Sequence, residues 1–210
     1  MSESPPRPPH FSLIRTFVTA DLITLGNAAS GMSAILCCLA WVASPSPGLL
    51  WAAFALLPIA FVLDALDGAV ARWRKNQSAL GADLDSLSDI VSFGVAPAVL
   101  GFTLGFRGGW DAVVLVYFVS CGISRLARFN VTAAALSDER GKVRYFEGTP
   151  IPTSLALVIV LAIANGQGAI LGDLWLGAVT LGPWQLHPLV LMYAASGTAM
   201  ISATLRIPKP

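Results

Sequence analysis

Five of the 12 acidic residues in this 210-residue chain, Asp64, Asp67, Asp83, Asp85 and Asp89, fall within 26 positions of one another. They interrupt two long apolar runs. An Asp at the centre of a bilayer-spanning helix costs about 2.5–3.5 kcal/mol on insertion scales, and several together repel one another. A bound multivalent cation is the simplest group that offsets both costs. A helix turns about 100° per residue, so Asp64, Asp67, Gly68 and Ala71 share an arc of roughly 100°, with Arg72 at its edge. Asp85 and Asp89 are spaced one turn apart and share a face with Gly81, one turn earlier. Eight residues separate Arg72 from Gly81. The two helices are therefore antiparallel neighbours whose acidic faces can meet. Four carboxylates and water make a hard oxygen site suited to Mg²⁺ or Mn²⁺, and two such ions form a device for phosphoryl chemistry. Gly68, Ala71 and Gly81 let a ligand approach the backbone, and Arg72 offers a fixed cation to phosphate oxygens. Asp83 falls off the arc and reads as an ordinary helix-start charge.

The elements that must hold these residues are apolar. Hydrophobic residues make up 55% of the chain and charged residues 12%, with mean hydropathy +0.71. An average soluble domain carries roughly 25% charged residues, so the composition excludes a soluble globule, a nucleic-acid binder and a disordered chain. Cys37, Cys38 and Cys121 fall in apolar runs and read as buried hydrophobes. Neither histidine has a partner at zinc spacing. Six runs are long enough to be spans, at about 22–42, 49–72, 81–106, 110–129, 150–168 and 188–206. The expectation is an all-α integral membrane protein of one domain, 11–210. It follows a disordered tail over 1–10 and opens with a short amphipathic segment over 11–19 that lies along the membrane surface. With six spans, 12 of the 13 Lys and Arg residues lie on the side of the termini and only Arg107 on the other. The positive-inside rule then puts both termini, and the acidic site, on the cytoplasmic face of the cell membrane.

Asp64-Ala-Leu-Asp67-Gly68-Ala-Val-Ala71-Arg72, eight residues, then Gly81-Ala-Asp-Leu-Asp85-Ser-Leu-Ser-Asp89 matches every fixed position of D-x2-D-G-x2-A-R-x8-G-x3-D-x3-D. In this pattern the chain resembles the CDP-alcohol phosphatidyltransferases. The resemblance implies six membrane helices with the motif on the second and third, and a homodimer. It implies that Asp64, Asp67 and Asp85 bind two divalent ions, with Asp89 reaching the second and acting as general base. It also implies that Gly68, Ala71, Arg72 and Gly81 line the pocket for cytidine diphosphate. Three later stretches, Asp89-Ile-Val-Ser-Phe-Gly-Val-Ala-Pro97, Ser124-Arg125-Leu-Ala-Arg128-Phe-Asn130 and Phe146-Glu-Gly148-Thr149-Pro150-Ile-Pro152, are similar to the branch that uses L-serine as acceptor. The reaction so implied takes CDP-diacylglycerol and serine to phosphatidylserine and CMP. Thr149 stands where that branch is expected to carry Leu.

The residues themselves agree with a small charged acceptor. Arg125 and Arg128, with Asn130 close by, offer cations to a serine carboxylate or a lipid phosphate; the plain alternative is anchoring of a helix end. Thr24 and Asn27, one turn apart in the first run, either touch the nucleotide or bond a neighbouring helix. Pro97, Pro150 and Pro152 kink or start helices around a cavity. Inositol phosphate, glycerol 3-phosphate and choline are the rival acceptors, and phosphorylated ones would need more cations than Arg125 and Arg128. A cation transporter would place acids on several helices at mid-membrane depth, unlike the two-helix cluster seen here.

Overall fold

In the computed structural model, which describes residues 18–74, 80–136, 145–202 and 206–208, the apolar runs fold as helices. They are α1 (Thr19–Ala43), α2 (Pro47–Arg74), α3 (Gly81–Asp89), α4 (Ala96–Leu104), α5 (Gly109–Leu136), α6 (Leu155–Gly166) and α7 (Leu191–Ile201). The 1–10 tail and nearly all of the 11–19 lead-in lie outside the described residues. Four helical stretches are long and apolar enough to cross a membrane: Thr19–Ala43, Pro47–Trp73, Gly81–Leu104 and Gly109–Val131. Ile151–Gly166 and Pro188–Ile201 are apolar but shorter. At about 1.5 Å per residue these two reach only roughly 21–24 Å, against roughly 30 Å of hydrocarbon. The 150–168 and 188–206 runs are thus each shorter as helices than their hydropathy suggests.

The bundle is held by a face of α1 that repeats every three or four residues. Asp21, Thr24, Asn27, Gly31, Ala34, Cys38 and Trp41 are buried, while Leu22, Leu25, Met32, Leu36 and Leu39 are exposed. The buried face packs along α2, α3 and α4, and α5 pairs with α7. The exposed apolar face has no protein partner among the described residues, which suits a lipid environment.

α3 and α4 form one continuous rod broken in register. Ile90–Val95 is a π-helical turn, closed by Ala96 N–H donating to the carbonyl of Val91. The cause is Pro97, whose ring nitrogen cannot donate to Phe93 and so breaks the α-helical ladder at this level. Pro97 therefore shifts register rather than kinking the rod, and its freed neighbourhood is used. The Pro97 carbonyl accepts the Tyr193 hydroxyl at 2.6 Å. The Tyr193 ring meets Phe118 and Phe106 edge-on, at centroid distances of 5.1 and 6.0 Å. Gly31 admits the other side of the turn, because a Cβ there would collide with Ser92, whose hydroxyl donates to the Asn27 carbonyl at 2.9 Å.

The chain is not all helix. β1 (Tyr145–Glu147) pairs antiparallel with β4 (Arg206–Pro208), and β2 (Val179–Leu181) with β3 (Trp184–Leu186). The first pair ties the segment before α6 to the segment after α7. Gly148, at φ +78, lies so close to the Met200 carbonyl that no side chain fits, and Thr149 N–H donates to the Ala199 carbonyl at 3.1 Å. Pro150 and Pro152 open a 3₁₀ turn, Ile151–Ser154, that leads into α6.

Candidate active site

α2 brings Asp64 and Asp67 to its last turns and α3 brings Asp85 and Asp89 to face them. One oxygen from each of Asp64, Asp67 and Asp85 lies within 4.8 Å of the others. Asp64 and Asp89 are within hydrogen-bonding reach of one another. Asp67 is 5% exposed and Asp89 7%. Mutually repelling carboxylates at this depth need compensation, and α1 supplies part of it. Thr24 Oγ1 donates to Asp67 Oδ2 at 2.5 Å, and Asn27 Nδ2 donates to Asp89 Oδ1 at 3.4 Å. The donor set is all carboxylate oxygen, closely spaced and lacking sulfur or imidazole, so it fits a hard divalent ion such as Mg²⁺ or Mn²⁺.

A cavity of about 240 Å³ opens beside this group. Thr24, Asp67, Gly68, Ala71, Gly81 and Asp85 line it, together with Val18, Ala20, Asp21 and Ala82. A Cβ at Gly68 would stand 3.3 Å from Arg72 Nη1. The Arg72 side chain is exposed and is not among the cavity-lining residues, though its guanidinium lies next to Gly68, which is. Asp21 is almost fully buried, and its Oδ2 accepts the Val18 N–H at 2.9 Å.

α5 closes the other flank. Arg125 is half-buried, interacts with both Asp85 and Asp89, and stacks its guanidinium 5.7 Å from the Phe129 ring centroid. Asn130 Oδ1 accepts the Ser86 hydroxyl at 3.2 Å, tying α5 to the turn that carries Asp85. Arg128 is exposed.

Residues 17–199 match the family model described as CDP-alcohol phosphatidyltransferase. The chain belongs to the CDP-alcohol phosphatidyltransferase family. It is 43% identical to a protein of Saccharomyces cerevisiae named CDP-diacylglycerol–serine O-phosphatidyltransferase, over 96% of this chain and 74% of the relative. A protein of the same name from Methanocaldococcus jannaschii is 34% identical over 71% of this chain and 62% of its own length. An archaetidylserine synthase of Methanothermobacter thermautotrophicus is 38% identical over 66% of this chain and 54% of its own length.

In this chain all four motif aspartates meet, and Gly68, Ala71 and Gly81 line the cavity beside them. Thr24 does two things, lining the cavity and bonding Asp67. Asn27 is not among the cavity-lining residues; its side-chain amide is directed to Asp89 instead. Asp83 is exposed in the first turn of α3, as an off-arc helix-start charge should be. Two site residues escape a sequence reading. Asp21 lies one turn before Thr24 on the buried face of α1, a spacing that could have signalled it. Ser86 carries no such signal.

Proposed function

We propose that the chain transfers the phosphatidyl group of CDP-diacylglycerol to the hydroxyl of L-serine, releasing CMP. The observation that carries this reading is the meeting of Asp64, Asp67, Asp85 and Asp89 beside a cavity lined by Gly68, Ala71 and Gly81. The names of the yeast and Methanocaldococcus relatives support serine as acceptor. Asp64, Asp67 and Asp85, with Asp89, would hold two divalent cations, Mg²⁺ or Mn²⁺; bound there, the ions supply positive charge to the diphosphate and to the departing CMP. Arg72, next to Gly68, meets phosphate oxygens that the carboxylates would repel. Asp89 accepts the proton of the serine hydroxyl, and the hydroxyl oxygen forms a bond to the lipid-side phosphorus. The bond from that phosphorus to the bridging oxygen breaks, and the oxygen leaves with CMP. Asn27 orients the Asp89 carboxylate for this transfer. Arg125, beside Asp85 and Asp89, is placed to pair with the serine carboxylate, with Arg128 and Asn130 near the same helix end.

The same reading places six spans in the cell membrane, with both termini and the aspartates on the cytoplasmic face. The one-sided distribution of Lys and Arg supports it. Two copies of the chain form a homodimer, as the family resemblance implies. The test is CMP release by purified protein with CDP-diacylglycerol and Mn²⁺ or Mg²⁺, offered serine, inositol, inositol phosphate, glycerol 3-phosphate and choline in turn. Release with serine alone is expected; release with another acceptor only would overturn the assignment of serine.

A further inference from the structure

At the end of the bundle opposite the aspartates, the chain from Ile170 to His187 carries a single Asp, Glu, Lys or Arg residue, Asp173. It folds into the β2–β3 hairpin, turned by Gly182 at φ +61 and Pro183. This hairpin is clamped to the start of α5. Asp111 Oδ1 accepts the His187 backbone N–H at 2.8 Å, while Oδ2 meets His187 Nδ1 at 2.6 Å and the Gly108 N–H at 2.8 Å. Trp110 Nε1 donates to the Leu181 carbonyl at 2.9 Å, and its ring meets Trp184 edge-on at 5.2 Å. Gly108 and Gly109 leave no room for a Cβ against Gln185 and Trp184. Yet the surface of this segment is apolar: Leu176, in the turn before β2, is 73% exposed, and Val179, Leu181 and Trp184 of the hairpin are exposed too.

We infer that this hairpin is a lipid-binding ledge, seated in the bilayer interface on the side away from the aspartate site. Three observations choose lipid over a protein partner or water. The ledge continues the exposed apolar faces of α5 and α7 at Val113, Val116 and Leu191, which face the bilayer if these helices span it. Two tryptophans sit at its rim, where an amphipathic ring with an apolar body and a polar edge is most stable. Arg107, in the neighbouring α4–α5 turn, is exposed and held over Phe102 at 5.9 Å, offering a cation to phosphodiester headgroups. The ledge lies in the chain that joins α6 to α7, the two helices that stop short of the full hydrocarbon thickness. The inference rests on the chain spanning the membrane and not on the choice of acceptor.

The test uses full-length protein in phosphatidylcholine–phosphatidylglycerol vesicles, with a nitroxide at Leu176→Cys and, for reference, at Ser46→Cys in the α1–α2 turn. Label on the unsubstituted protein measures the background from the native cysteines. Collision with oxygen is expected to exceed collision with a water-soluble nickel chelate at position 176, and the reverse at 46. A nickel preference at 176 equal to that at 46 would overturn the ledge. CMP release by the labelled protein, assayed with serine, reports separately on the proposed reaction. If Leu176→Cys fails to fold, quenching of tryptophan fluorescence by lipids brominated near the headgroup replaces it. Trp184→Phe is expected to remove a measurable share of that quenching, and no change would overturn the proposal.

Discussion

Buried carboxylates stand at both ends of this helix bundle, and they are treated in opposite ways. At the outer end Asp111 is fully buried and accepts two backbone N–H groups while meeting a histidine ring nitrogen. Its charge is answered by the protein alone. At the inner end Asp64, Asp67, Asp85 and Asp89 face one another, met by one hydroxyl and one amide from α1 and flanked by Arg125 of α5. A carboxylate with its lone pairs filled by the fold is a fastener. A group of carboxylates left facing each other beside a cavity is a site held ready for positive charge from outside.

Removing a carboxylate at each end should separate the two roles. Asp85→Asn or Asp89→Asn is expected to lower CMP release by at least about 10²–10³-fold, the scale of losing a group that acts in the transition state. The melting temperature in metal-free buffer should hold steady or rise, because a like-charge contact is relieved. Adding Mg²⁺ or Mn²⁺ should stabilise the unsubstituted protein and do so far less for Asp85→Asn, measured by thermal melting. Activity retained in either variant would remove the role given to that residue. Chelation of divalent ions should abolish CMP release reversibly, with the far-ultraviolet circular dichroism unchanged.

A middle-sized effect belongs to Asn27→Ala. It withdraws the donor to Asp89 without touching the carboxylates, and a drop in kcat of about tenfold or more is expected, with a smaller change in KM. Equal losses in kcat and stability would reduce Asn27 to a packing residue. The smallest catalytic effect is expected at Asp111→Asn. There the amide would set its own N–H groups against one of the donors that now meet Asp111, costing about 1–3 kcal/mol of stability. CMP release below the melting transition should stay close to that of the unsubstituted protein.

The inner end was legible in the sequence and the outer end was not, for a physical reason. Aspartates in an apolar run are costly, so their spacing carries information that helix geometry alone converts into a shared face. Thr24 and Asn27 remained ambiguous because a hydroxyl and an amide bond a nucleotide or a neighbouring helix equally well. The structure brings both to the acids. Asp21 stands in the first turn of α1, where it accepts the Val18 N–H, and by its residue type alone nothing sets it apart from an ordinary charge at a helix start. At the outer end the chain between α6 and α7 is built from Gly, Ala and Leu much like the helices it joins. The 150–168 run ends within two residues of the end of α6 at Gly166, but the hairpin's strands, three residues each, are too short to show an alternating pattern. The β1–β4 pair was hidden for a related reason: Arg206 reads as the charged end of a helix, whereas the helix ends at Ile201 and the chain crosses to pair with Tyr145–Glu147.

The π-helical turn at Ile90–Val95 sets a phase. Asp89 on one side of it is aimed at Asn27, and Leu100 and Leu104 on the other side are buried in the apolar interior. The two halves of the rod agree because the turn takes up one residue more than an α-helix would. Loss of a single codon within 90–95 is taken up by closing the turn as ordinary α-helix, whereas gain of one would rotate the halves by about 100° against each other, leaving composition and hydropathy almost unchanged. Here the gene is expected to tolerate the loss of one codon better than the gain of one.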